Sequence, residues 1–268
     1  MDQLSIMPAG PLCGTVRIGG AKNAALPILA ASLLTAEGVE ISNLPHIGDI
    51  ESMLRLLRAL GVYVARGRQR AVISAMHLAS VEAPLEAVKA MRASILILGP
   101  LLARFGAARI ALPGGCAIGA RPVDLHLRGL RQMGATIRVV DGFIEARADG
   151  LSGMDFHFDK VTVTGTENLM AAATLAAGET VLRNAAREPE VVDLAEFLIS
   201  MGARIQGHGT DRIVIQGVSK LTGTKYRVMP DRIETGTFVC AAAATAGHVL
   251  ITGTETKHLG AFLDVMRE

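Results

Sequence analysis

Tryptophan is absent from the 268 residues, and tyrosine and phenylalanine number only two and seven. With half of the chain hydrophobic, its core must be built from Ala, Leu, Val and Ile. The same scarcity leaves no aromatics interleaved with the scattered basic residues, as a base-stacking surface requires. A formal net charge of only +2 gives no footprint of non-specific nucleic-acid binding. Cysteine is also scarce: Cys13, Cys116 and Cys240 are odd in number, far apart, and without zinc-type spacing. This excludes a disulfide framework and points to free thiols in a reducing cytosol. Long apolar runs are missing. The stretch from Ser94 to Leu102 contains Pro100 and falls far short of the about 20 residues a membrane helix needs. The start, Met1-Asp2-Gln3-Leu4-Ser5, has no basic segment ahead of an apolar one, so no signal peptide is read. The expectation is a soluble, cytoplasmic globular protein of one or two domains, with no nucleic-acid or membrane partner.

What the chain does contain is an internal repeat. The first copy runs from Lys22 through an apolar helix to Leu34, then a strand Val39–Ile41. A helix from Ile50 to Leu60 follows, ending at Gly61, and a strand Val62–Val64 closes the copy. The second begins near Met91-Arg92-Ala93-Ser94, passes the strand Arg109–Leu112 and ends its helix, Val123–Gln132, at Gly134. The third opens at Glu167-Asn168 and ends its helix, Val191–Ser200, at Gly202. Gly61, Gly134 and Gly202 recur at spacings of 73 and 68 residues, each where a left-handed helix cap is least costly. Strand and helix signals alternating at this period indicate α/β units packed about a common axis. A fourth copy is expected from Glu234, with helix Val239–Thr245, strand Val249–Ile251 and a second helix near Leu259. It stops at Arg267-Glu268, where its glycine and closing strand are due, so the expectation is a fragment or a unit completed by something else.

The chemistry is concentrated in one run, Leu112-Pro113-Gly114-Gly115-Cys116-Ala117-Ile118-Gly119-Ala120-Arg121-Pro122-Val123-Asp124-Leu125-His126. Glycines let main-chain N–H groups approach an anion, and cations near a thiol lower its pKa. Alone, the run also reads as a surface turn carrying an idle cysteine. Lys22 opens an apolar helix, where a lysine opposes the helix dipole unless it serves an anion or is simply solvated. Arg121 can grip phosphate or carboxylate through two parallel hydrogen bonds, or make a surface ion pair. Asp124 suits either a ligand edge or the cap of its own helix. His126 and His46 have no metal spacing and read as structural or exposed.

Gly20 to Pro27, Met91 to Ser94, Leu112 to His126, Asn184 to Glu190 and Pro230 to Phe238 resemble segments of the UDP-N-acetylglucosamine 1-carboxyvinyltransferases, of the enolpyruvyl transferase family. The resemblance implies an inside-out α/β barrel of repeated βαβαββ-type units, with residues 22–229 as a complete first lobe. Residues 1–21 and 230–268 would be part of a second. It implies transfer of enolpyruvyl from phosphoenolpyruvate to the 3′-hydroxyl of UDP-N-acetylglucosamine with release of phosphate, the first committed step of peptidoglycan synthesis, without cofactor or metal. Cys116 would be the catalytic acid and the target of fosfomycin, and Lys22, Asn23 and Arg121 would hold phosphoenolpyruvate. Arg92, Arg121, Pro122, Val123, Asp124, Leu125, Lys160, Val161, Thr162 and Val163 would hold the nucleotide-sugar. The family's base and further arginines fall in a part with no counterpart here. A sibling enzyme acting on shikimate 3-phosphate and a non-catalytic sugar-nucleotide-binding fragment are the alternatives.

Overall fold

A helix that is apolar all round belongs in an interior. The first helix, α1 (Lys22–Ala31), buries every residue from Ala24 to Ala31. The structure is a computed structural model that describes residues 3, 5, 7, 10–85, 92–112 and 123–268, with only the backbone at 92. It divides into two compact units, one of Lys22–Met229 and one of Met1–Ala21 with Pro230–Glu268.

The larger unit is three modules of one design. The first contains α1, β2 (Val39–Ser42), α2 (Gly48–Ala59), β3 (Tyr63–Arg66) and β4 (Arg70–Ser74). The second contains a 3-10 helix (Arg92–Ile97) running into α3 (Leu98–Phe105). Then come β5 (Ala107–Ala111), α4 (Asp124–Gln132), β6 (Thr136–Val140), β7 (Phe143–Arg147) and the short β8 (Asp155–His157). The third contains α5 (Val163–Ala173), β9 (Glu179–Arg183), α6 (Pro189–Ser200), β10 (Arg204–Gln206), β11 (Arg212–Gln216) and the short β12 (Lys225–Arg227). Each module has one interior helix segment, represented by α1, α3 and α5, and one amphipathic helix, represented by α2, α4 and α6. The sheets are covered on one face only, as the alternating exposure of β4 and β11 shows. Helices inside and sheets outside is the expected inside-out α/β arrangement.

Gly61, Gly134 and Gly202 end the amphipathic helices with φ of +92°, +100° and +99°. Each donates to the carbonyl three residues back, while the next residue bonds the carbonyl five back, as in Val62 N–H to Leu57 at 3.1 Å. This is the Schellman closure, and glycine adopts its left-handed angle without strain.

Sheet order explains how the modules join. In the first sheet, β12-β2-β4-β3, the edge strand β12 comes from the third module and runs parallel to β2. In the third sheet, β8-β9-β11-β10, the edge strand comes from the second module. In the second sheet, β5-β7-β6, Glu82 of the first module forms a parallel bridge to Arg109 of β5. Every module therefore completes its neighbour's sheet, and the ring closes on itself.

The smaller unit pairs β1 (Cys13–Arg17) in parallel with β13 (His248–Thr252), beside α7 (Arg232–Ala244) and α8 (Gly260–Arg267). Two helix starts correct the sequence reading. Helix α7 begins at Arg232 instead of Val239, because Asp231 caps it by accepting from the Ile233 and Glu234 N–H groups at 2.8 and 3.1 Å. Helix α5 begins at Val163, ahead of Glu167, where the sequence reading opens the third copy. Thr162 is its cap, accepting from Gly165 N–H at 3.2 Å.

Candidate functional site

The second module departs from the other two directly after its first strand. After β2 and β9, Asn43 and Asn184 take left-handed angles (φ +59° and +53°). Their side-chain amides latch the donated strand's exit, at Val228 O (2.9 Å) and Phe158 O (2.7 Å). The following residues, Leu44 and Ala185, donate across to Gln69 and Asp211. In the second module Leu112 follows β5 directly and makes the matching bond to Gly142 at 2.7 Å, with no asparagine between. The Pro-Gly-Gly-Cys run begins at this departure. Cys116, Arg121 and Pro122 lie outside the described residues.

The description resumes at Val123. Its backbone, with no side-chain bond, occupies the cap position of α4, so the expected cap role for Asp124 is not realised. Asp124 instead sits exposed in the first turn, where a carboxylate favours the positive end of the helix dipole. Leu125 beside it is half-buried. Two further α4 side chains reach residues that flank 160–163, the second segment expected to hold the nucleotide. Arg128 pairs with Asp159 and donates to His157 O at 3.1 Å, its guanidinium 5.1 Å from the Phe156 ring centre. The His126 ring meets Thr164 Oγ1 at 3.4 Å. Lys160 to Val163 lies between those two attachments, with Lys160 and Val161 exposed. The structure thus ties α4, whose start includes Asp124 and Leu125, to the residues on either side of 160–163.

His126 is 3% exposed, and burial pushes its pKa down to about 4 against a smaller upward pull from Asp124. It is neutral at pH 7. Its other contact is Asn168, 1% exposed, on α5. Sequence reasoning placed neither in the site. The available signal was Asn168 itself, since an asparagine inside an apolar helix is unfavourable unless its amide is used elsewhere.

Lys22 and Asn23 open α1, which packs on the 3-10 helix that Arg92 begins. Lys22 is paired with Asp49 of α2 at 2.5 Å, both side chains about two-fifths exposed, and Asn23 is exposed. The described contacts of Lys22 do not join it to the 123–125 segment. Cys13 and Cys240 are both exposed. A second missed group is Glu167, fully buried beside Glu190 and Glu188, with its Oε1 accepting no hydrogen bond among the described residues. Burial first, and then those two carboxylates, hold it well above the usual carboxylate range. Among the described residues no cluster of His, Cys, Asp and Glu is arranged to hold a metal. Nor is any helix there long and apolar enough to cross a membrane.

A family model described as EPSP synthase (3-phosphoshikimate 1-carboxyvinyltransferase) matches residues 6–268. The enolpyruvyl transferase NikO from Streptomyces tendae superposes with a TM-score of 0.76 at 23% identity, over 86% of this chain and 55% of that one. An EPSP synthase from Acinetobacter baumannii superposes at 0.74 and 20% identity, over 93% of this chain and 57% of that one. The chain therefore spans little more than half the length of the solved structures it matches.

Proposed function

Because the chain belongs to the EPSP synthase family, we propose that it carries the acceptor-binding half of an enolpyruvyl transferase, with phosphoenolpyruvate as donor and UDP-N-acetylglucosamine as acceptor. The observation that supports this acceptor is the run from Leu112 to His126. It stands where the other modules have an asparagine latch and leads into α4, which is tied to Asp159 and Thr164 on either side of 160–163.

In this reading, Asp124 accepts from the uracil ring N–H, while Arg92, Arg121 and Lys160 face the diphosphate. Pro122, Val123, Leu125, Val161, Thr162 and Val163 line the nucleotide. Lys22, Asn23 and Arg121 hold phosphoenolpyruvate. The half-exposed ion pair of Lys22 with Asp49 contributes at most about 1 kcal/mol, so a phosphate can take the ammonium over. Cys116 gives its thiol proton to C3 as the sugar oxygen bonds C2, the hydroxyl proton passing to a base. C3 then loses a proton as phosphate leaves C2, restoring the double bond. Both steps are redox-neutral, so no electron carrier enters.

A second reading has shikimate 3-phosphate as acceptor. The family description and the EPSP synthase structure favour it over the first. Calorimetry of the chain with each acceptor, alongside phosphate release from phosphoenolpyruvate, separates them. The first reading expects UDP-N-acetylglucosamine to bind and Arg121→Ala to weaken it. Binding of shikimate 3-phosphate alone would establish the second, and binding without phosphate release a non-catalytic lobe.

A further inference from the structure

The Asn168 amide has only one possible orientation. Its Oδ1 accepts from Gly99 N–H at 2.8 Å and its Nδ2 donates to Ile95 O at 3.3 Å, so backbone groups of opposite kind fix both ends. The same Nδ2 lies 3.0 Å from His126 Nδ1. That ring nitrogen must therefore be an acceptor, which leaves the imidazole proton on Nε2, facing Thr164 Oγ1. A Cβ on Gly99 would stand 2.5 Å from both Asn168 oxygens, so α3 and α5 can approach this closely only with glycine there.

These bonds meet at one buried point and leave it in three directions. Ile95 lies in the 3-10 helix opened by Arg92, and Gly99 in the α3 helix that follows. His126 stands one residue beyond the 123–125 segment, and Thr164 one residue beyond 160–163. We propose that His126 and Asn168 are positioning residues that set the separation of the segments 123–125 and 160–163, and so the affinity for the nucleotide half of the acceptor. This rests on the nucleotide-sugar reading of the site. Neither side chain touches the ligand. Both are buried, and they act through the helix starts they hold. The Arg128–Asp159 pair lies largely in solvent, where an ion pair is weak, whereas the Asn168–His126 pair is enclosed.

Calorimetric titration of the whole chain with UDP-N-acetylglucosamine and with UDP tests this. His126→Leu removes both ring contacts and strands the Asn168 amide, and is expected to weaken both ligands about tenfold. Thr164→Val, a milder change at the first turn of α5, is expected to weaken them about threefold. His126→Gln, whose amide offers one acceptor and one donor, is expected to recover most of the loss. Asn43→Ala removes a buried latch in another module and serves as the stability control, with unchanged affinity expected. Wild-type affinity in a folded His126→Leu or Thr164→Val protein would overturn the proposal. So would an equal loss in Asn43→Ala. Should the unaltered chain bind neither UDP-N-acetylglucosamine nor UDP, the nucleotide reading itself falls, and this inference with it.

Discussion

Acidification from pH 7 to 4 should destabilise the larger unit through a single imidazole. In the folded chain His126 has its pKa pushed from 6.5 down to about 4 by burial, Asp124 opposing weakly. Between those values the unfolded chain binds a proton that the folded chain refuses. Stability is therefore complete above pH 6.5 and falls as the pH drops towards 4. Each pH unit in that window removes about 1.4 kcal/mol, or ~3 kcal/mol over the whole of it. The geometry gives the same sign, since a proton on Nδ1 would face the N–H of Asn168 instead of a lone pair. Urea denaturation of wild type and His126→Gln at half-unit steps of pH isolates the effect, because all other titrating groups are common to both. The wild-type curve should fall relative to the variant by ~3 kcal/mol between pH 7 and 4. Parallel curves, or an imidazole seen by NMR to titrate near 6.5 in the folded protein, would refute the reasoning.

Glu167 should behave with the opposite sign. Its pKa is raised by burial and by Glu190 and Glu188, so stability is lost as the pH climbs above the ordinary carboxylate range. Glu167→Gln is expected to gain on wild type as the pH rises from 4 to 8 in the same denaturation assay, and pH-independent differences would count against it. For the thiols, iodoacetamide followed by mass mapping should label Cys13 and Cys240 readily, since both are exposed. On the proposed chemistry an epoxide such as fosfomycin should label Cys116 in preference, and equal epoxide labelling of all three would contradict an activated Cys116.

The α/β class and the repeat were legible because their signals are local. A glycine directly after an amphipathic helix marks its own left-handed angle, as Gly61, Gly134 and Gly202 do. The joints between modules were not legible. Strands of three residues such as β8 and β12 carry no periodicity, and their partners belong to another module. The start of α7 was misplaced because Gly236, inside it, reads as a breaker while the cap at Asp231 prevails. The candidate site was half legible. The 112–126 run stands out by composition and 160–163 only through the resemblance, while the Asn168–His126 contact joins residues 42 apart in sequence that no local pattern links.

The ring of shared strands also sets an order of events during synthesis. Strand β2 leaves the ribosome early, yet its latch partner Val228 lies 185 residues beyond Asn43. At roughly 5–20 residues per second, that edge waits on the order of 10–40 seconds for β12 to emerge. Until then the first sheet presents unpaired N–H and C=O groups along β2, a template for any passing strand. The second and third sheets receive their partners from earlier sequence and have no such wait. A nascent chain stalled before residue 225 is thus exposed to pairing with its neighbours on the same message at one defined edge, the one that β12 covers in the finished protein.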